Sequence, residues 1–99
     1  MLRHYVFLKY REETSDGHIA AFCEGMLALR GAIGEIRHLE IGRDELHDAR
    51  SWSLVLIMEF ASVDALRAYQ RHPRHLAVTA FNDPFVENVA SVDFMVADH

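Results

Sequence analysis

The chain has 99 residues, 51% hydrophobic and 25% charged, with a net charge of −5 when histidine is neutral. That length sets a single domain over residues 1–99, and that composition belongs to a folded globular protein, not a disordered one. With no basic tract and no basic amphipathic helix, the chain lacks the electrostatic footprint of a nucleic-acid or anionic-membrane binder.

Leu2 to Tyr10 is the first periodic segment. His4, Val6 and Leu8 form one row and Tyr5 and Phe7 the other, as in a strand buried on both faces. Thr14, Ser15 and Asp16 are cap and first-turn residues. Ile19, Phe22, Cys23, Met26, Leu27 and Leu29 then follow helical spacing, which predicts a helix over about residues 15–30 with Gly31 and Gly34 as its stop. Cys23 is the lone cysteine, so no internal disulfide exists; it reads as a buried structural residue, and a cytoplasmic location is expected. Ile36 to Gly42 reads as a strand with Leu39 and Ile41 inward and His38 and Glu40 outward. The charged stretch from Gly42 to Ser51 is a long hairpin loop.

Trp52 to Phe60 reads as a second two-faced strand, Leu54, Leu56, Met58 and Phe60 on one side and Val55 and Ile57 on the other. Its longest apolar run, Leu54 to Met58, is five residues, far short of a bilayer span. Ser62 caps a helix that carries Leu66 and Tyr69 and stops before Pro73. A short helical piece over about His75 to Phe81 follows, then turn chemistry at Asn82-Asp83-Pro84. Val86 to Val96 is the last strand, with Val92, Phe94 and Val96 on one face.

The order β-α-β-β-α-β is the split, ferredoxin-like α+β plan, with halves 1–48 and 51–99. Its own helices cover one sheet face only. The other carries Tyr5, Phe7, Val55 and Ile57, an apolar patch unusual for a monomer, so a homodimer packed sheet against sheet is expected.

These residues resemble a known family. His4-Tyr5-Val6-Phe7-Leu8-Lys9-Tyr10, Glu59-Phe60 with Ser62-Val63-Asp64-Ala65-Leu66-Arg67-Ala68-Tyr69, the run Ala68-Tyr69-Gln70-Arg71-His72-Pro73-Arg74-His75, and Val92-Asp93-Phe94 are similar to the stress-responsive dimeric A/B barrel (Dabb) family, in register over about residues 2–96. The resemblance implies a dimeric α/β barrel. Most members have no assigned reaction, and some are stress-induced, very stable assemblies. One relative, olivetolic acid cyclase, is a polyketide cyclase that uses aldol chemistry in a pocket between sheet and helices. Its base, the second histidine of a His-Pro-x-His signature, matches His75; a helix tyrosine matches Tyr69 and a first-strand histidine matches His4. Two further polar positions of that relative are replaced here by Met26 and Leu54, which implies a more apolar pocket.

The residues also stand on their own chemistry. Histidine titrates near neutrality and can take a proton at pH 7, and a tyrosine hydroxyl can stabilise a developing enolate oxygen. His75 is thus the candidate base, Tyr69 the oxygen-polarising partner and His4 an auxiliary polar group. Leu8, Phe22, Met26, Leu54, Leu56 and His72 are the expected lining. The bland alternatives are a Tyr69 that only packs on the sheet, a His75 that bonds a backbone carbonyl, and a His4 that is a hydrogen-bonded core residue. His72 and His75 have a spacing that a metal would tolerate, but Pro73 interrupts the helix between them and no third ligand is near in sequence, so no metal is expected. No glycine-rich phosphate loop or nucleophile elbow is present, and no cofactor is expected. The function expected is the binding of a small apolar or aromatic molecule, with cofactor-free proton abstraction beside a carbonyl as the chemistry. The alternatives are a non-catalytic assembly protein with a filled core, and a monooxygenase or haem-handling barrel by fold analogy alone.

Overall fold

Alternating apolar residues organise the chain into one sheet with helices on a single side. The computed structural model describes residues 1–97. In chain order it has β1 (Leu2–Tyr10), α1 (Asp16–Ala32), β2 (His38–Arg43), β3 (Leu54–Phe60), α2 (Val63–Arg71), α3 (Pro73–Asn82), a 3-10 turn (Asp83–Phe85) and β4 (Val86–Met95). The strands are antiparallel in the order β2-β3-β1-β4, which is the ferredoxin-like sheet. Among the described residues no helix is long and apolar enough to cross a membrane.

The element ends follow from local chemistry. The Ser15 hydroxyl accepts the His18 N–H at 3.1 Å and opens α1, and Ser62 does the same for α2 through Ala65. α1 runs through Gly31 and ends at Ile33, which turns to an extended conformation with its side chain only 1% exposed. No glycine has a positive φ, so the expected glycine stop is replaced by the burial of Ile33. β2 starts at His38 and not Ile36, because the Ile36 N–H is spent on a turn to Ile33. β3 starts at Leu54 and not Trp52. Ser53 just before it gives its N–H to Leu8 and accepts the Tyr10 N–H on its hydroxyl, at 2.8 and 2.9 Å. α3 is longer than predicted because Pro73 begins it. At the first helical position the missing N–H of proline costs nothing.

Register sorts the side chains. Across the sheet, Leu39, Met58, His4 and Asp93 share one row, and Ile41, Leu56, Val6 and Ser91 share the next; both face the helices. Leu2, Leu8, Leu54, Met58 and Phe60 pack there against Phe22, Met26, Leu29, Leu66 and Tyr69 as one buried cluster. On the opposite face Tyr5 pairs with Ile57 and Val92, and Phe7 with Val55 and Ala90. The Tyr5 ring contacts Phe7 and Phe94, with centroids 6.5 and 5.8 Å away, and no helix covers them.

Phe60 and Met58 are fully buried, 0% exposed. Phe60→Ala is expected to cost about 3–5 kcal/mol of unfolding free energy, and Met58→Ala about 2–5, because each removes apolar contact and leaves a cavity. Urea unfolding checks this, with the exposed Val63→Ala as a control expected within about 0.5 kcal/mol of wild type.

Candidate functional site

The site starts at the break between α2 and α3. In an unbroken helix the Gln70 carbonyl would accept the Arg74 N–H. Here His72 closes α2 and caps α3, and its Nδ1 takes the Arg74 N–H at 3.1 Å. The freed Gln70 carbonyl instead accepts the Nδ1–H of His75 at 3.2 Å. That bond fixes the neutral tautomer of His75 and leaves Nε2 with its lone pair available. Nε2 has no partner among the described residues. Burial lowers the His75 pKa below its ordinary value, partly opposed by the bond to Gln70.

Tyr69 sits on the last turn of α2, 2% exposed, with its ring 4.2 Å from that of His75 and 5.1 Å from Phe60. Its hydroxyl has no hydrogen-bond partner among the described residues. Burial pushes its pKa up, so it stays a neutral O–H donor.

His4 is buried on the helix-facing row of β1. Its Nδ1 is bonded to Asp93 Oδ1, directly across the ladder on β4. A carboxylate only accepts, so Nδ1 carries the proton and the ring is held in one orientation.

A cavity of about 260 Å³ separates these groups from α1. His4, Leu8, Phe22, Met26, Leu56, Tyr69 and His75 all line it, so seven of the residues singled out in the sequence converge on one space. Phe22 and Met26 wall it without filling it. Leu54 and His72 lie outside it. Leu54 is buried at the far end of β3 beside Trp52, and the His72 ring is turned back onto its own backbone as the cap. Sequence reasoning missed Gln70, Thr79 and Asn82. Asn82 reads as turn chemistry in sequence, yet it is 3% exposed and lines the cavity. Its Oδ1 accepts from the Tyr10 hydroxyl at 2.6 Å and pairs with His18 Nε2 at 3.0 Å. The one clue in sequence was a polar, buried-helix position seven residues after His75.

A larger groove of about 690 Å³ runs beside the 44–53 loop, where Arg43 pairs with Asp16 at 3.3 Å and His47 with Asp44 at 3.4 Å. Arg3 is likewise paired with Glu59 at 2.9 Å, on the outer face. Burial raises the Cys23 pKa, which keeps it a thiol. Among the described residues no group of three or more His, Cys, Asp or Glu side chains is placed to hold a metal ion. The partly open cavity beside α1 brings together, among the described residues, one acceptor nitrogen and one hydroxyl donor without partners.

Comparison with known proteins agrees with this architecture. The sequence model of the stress responsive A/B barrel domain matches residues 2–96. A stress-response A/B barrel domain-containing protein of Arabidopsis thaliana is 28% identical over 98 residues, covering 96% of this chain and 86% of that protein. A dimeric protein of ferredoxin-like fold from Bacteroides fragilis superposes with a TM-score of 0.86 at 27% identity, covering 96% of this chain and 95% of that one. A hydroxynitrile lyase from Passiflora edulis superposes with a TM-score of 0.85 at 19% identity, covering 99% of this chain and 94% of that one, a likeness of fold alone.

The lowered pKa of His75 has a definite sign for stability. The unfolded chain takes up a proton at this side chain near the ordinary histidine value of about 6.5 while the folded chain resists it, so folding is penalised as pH falls below about 6.5 and not above. Histidine-selective NMR titration is expected to place the His75 midpoint below that of an exposed histidine. In urea unfolding, His75→Gln is expected to remove part of the loss of stability between about pH 6.5 and pH 5.

Proposed function

Because the chain belongs to the stress responsive A/B barrel (Dabb) family, we propose that it binds a small neutral carbonyl compound between its sheet and its helices and moves a proton at the carbon next to the carbonyl. One observation carries this reading: the free Nε2 of His75 and the unpartnered hydroxyl of Tyr69, rings 4.2 Å apart, both border the same apolar cavity. His75 Nε2 takes the α-proton. The C–H electron pair forms the enolate, whose oxygen accepts the Tyr69 O–H. The imidazolium is steadied by Nδ1–H donation to Gln70, and it returns the proton to carbon, or to oxygen after the enolate carbon has added to a second carbonyl. His4, held by Asp93, orients the ligand from the sheet. The lyase neighbour bears a name that denotes a small neutral substrate, which supports the capacity of the fold for such a ligand and assigns no residue.

The same reading includes a homodimer. The uncovered sheet face supports it, with Val92 and Phe94 55% and 42% exposed beside Tyr5 and Ile57, and so does the dimeric state of the Bacteroides fragilis relative. Ile57→Asp places an unpaired charge in the middle of that face. Light scattering is expected to give a dimer mass for the wild type and a monomer mass for the variant, with the circular dichroism unchanged. A monomeric wild type at micromolar concentration would count against the dimer.

Proton transfer is tested by hydrogen–deuterium exchange at the acetyl methyl of para-isopropylacetophenone in deuterated buffer, followed by proton NMR. The wild type is expected to exceed the buffer rate. His75→Ala and Tyr69→Phe are each expected to lower the protein-dependent rate by roughly a hundredfold. An unchanged rate in His75→Ala removes the base assignment. Binding without exchange in the wild type leaves a ligand-binding protein and no catalytic step.

A further inference from the structure

We infer that Asn82 is a second recognition point of this cavity, selecting neutral ligands that carry a hydrogen-bond acceptor at the end remote from the carbonyl held at Tyr69. The inference rests on the ligand-binding reading above and adds the chemical class of the ligand. Asn82 is 97% buried by its 3% exposure, and its Oδ1 already meets the Tyr10 hydroxyl and His18 Nε2. Both are held in place. Tyr10 is 6% exposed and remains a neutral donor, since burial pushes its pKa up to about 12. The His18 ring lies between Phe81 and Phe85, with centroids 4.6 and 3.8 Å away. With two donors on its oxygen, the carboxamide is locked, and its NH2 group points elsewhere. That group has no partner among the described residues, yet no buried side-chain nitrogen or oxygen lacks both a partner and accessible surface. Asn82 lines the cavity, and its NH2 group keeps accessible surface through which a ligand there can meet it. A polar group fixed in this way and left unmet is costly unless a ligand or water meets it.

Geometry gives the spacing. His75, Thr79 and Asn82 fall at i, i+4 and i+7 on α3 and all line the cavity. Seven residues of helix advance about 10 Å on nearly the same face. The space of about 260 Å³ holds roughly ten to a dozen non-hydrogen atoms, scaled from a benzene-sized cavity of about 150 Å³. Charge gives the polarity. Among the described residues no lysine or arginine lines the cavity, whereas Asp83 lines it and Asp93 backs His4, so an anionic ligand finds no lysine or arginine counter-ion there. The ligand class is a single-ring or similarly short neutral molecule with a carbonyl at one end and an acceptor oxygen at the other.

A matched pair of probes tests this. Para-diacetylbenzene has an acceptor at both ends, and para-isopropylacetophenone has the same shape with one acceptor removed. Dissociation constants are read from amide chemical-shift titrations of the intact protein. Asn82→Leu is expected to weaken the diketone by about tenfold and leave the monoketone within about twofold, the size of one neutral hydrogen bond. Tyr10→Phe, which only loosens the carboxamide, is expected to reduce the diketone preference by about threefold, and it decides the matter if Asn82→Leu does not fold. A diketone preference unchanged in a folded variant overturns the role of Asn82 while leaving the cavity reading intact. If neither probe binds the wild type, the ligand-binding reading fails and this inference fails with it.

Discussion

The break at His72-Pro73 is the constraint on which the site depends. Proline cannot continue α2 without a clash and a lost N–H. The chain therefore starts a new helix, and one backbone carbonyl, that of Gln70, is left to be satisfied by a side chain. His75 meets that need with Nδ1, which turns its other nitrogen away from its own helix and sets its ring beside Tyr69. A single unbroken helix would satisfy Gln70 internally and leave His75 with no reason to hold one tautomer. The arrangement that a purely structural account would give, a histidine bonding a backbone carbonyl, is thus also what prepares the histidine to act as a base.

The sheet supplies the rest. Every central strand alternates between two apolar faces, so each residue on β1 has a neighbour that belongs to the other side of the protein. His4 reaches the cavity wall through Asp93, while Tyr5 next to it meets Ile57 and Val92 on the outer face. A change of register by one residue on β4 would exchange Asp93 for Val92 or Phe94 behind His4, leaving a buried imidazole without its carboxylate. Packing on the outer face and polar order at the cavity are two products of one strand pairing.

Much of this was legible in sequence. Two-faced strands, the two serine caps and the proline gave the fold, and the resemblance in the Tyr69 to His75 run and at the first-strand His4 pointed to three polar residues that line one cavity. The remainder depended on long-range pairing that periodicity does not encode. Asp93 reads in sequence only as a strand carboxylate able to pair across the sheet, and which partner it takes is not encoded locally, since His4 lies 89 residues away. Asn82 read as a turn residue because Asn-Asp-Pro normally is one, and its burial comes from Tyr10 and His18, which the first strand and first helix bring together. Leu54 and His72 fell outside the cavity for different reasons. The first is set by where β3 begins, which Ser53 decides, and the second by a ring that bonds its own neighbouring backbone. Gln70 contributes a carbonyl, and no side-chain pattern reveals which carbonyl a helix break leaves free.

Trp52 is the chain's one tryptophan, and its ring lies against Phe7, 6.3 Å between centroids, at the margin of the outer sheet face. It borders neither His75 nor Asn82. Excitation at the red edge of protein absorption therefore addresses the outer face alone, whereas the buried phenols of Tyr10 and Tyr69 report from the interior. The third tyrosine, Tyr5, shares the outer face with Trp52, so tyrosine emission mixes the two sides of the sheet and the tryptophan signal alone belongs to one side.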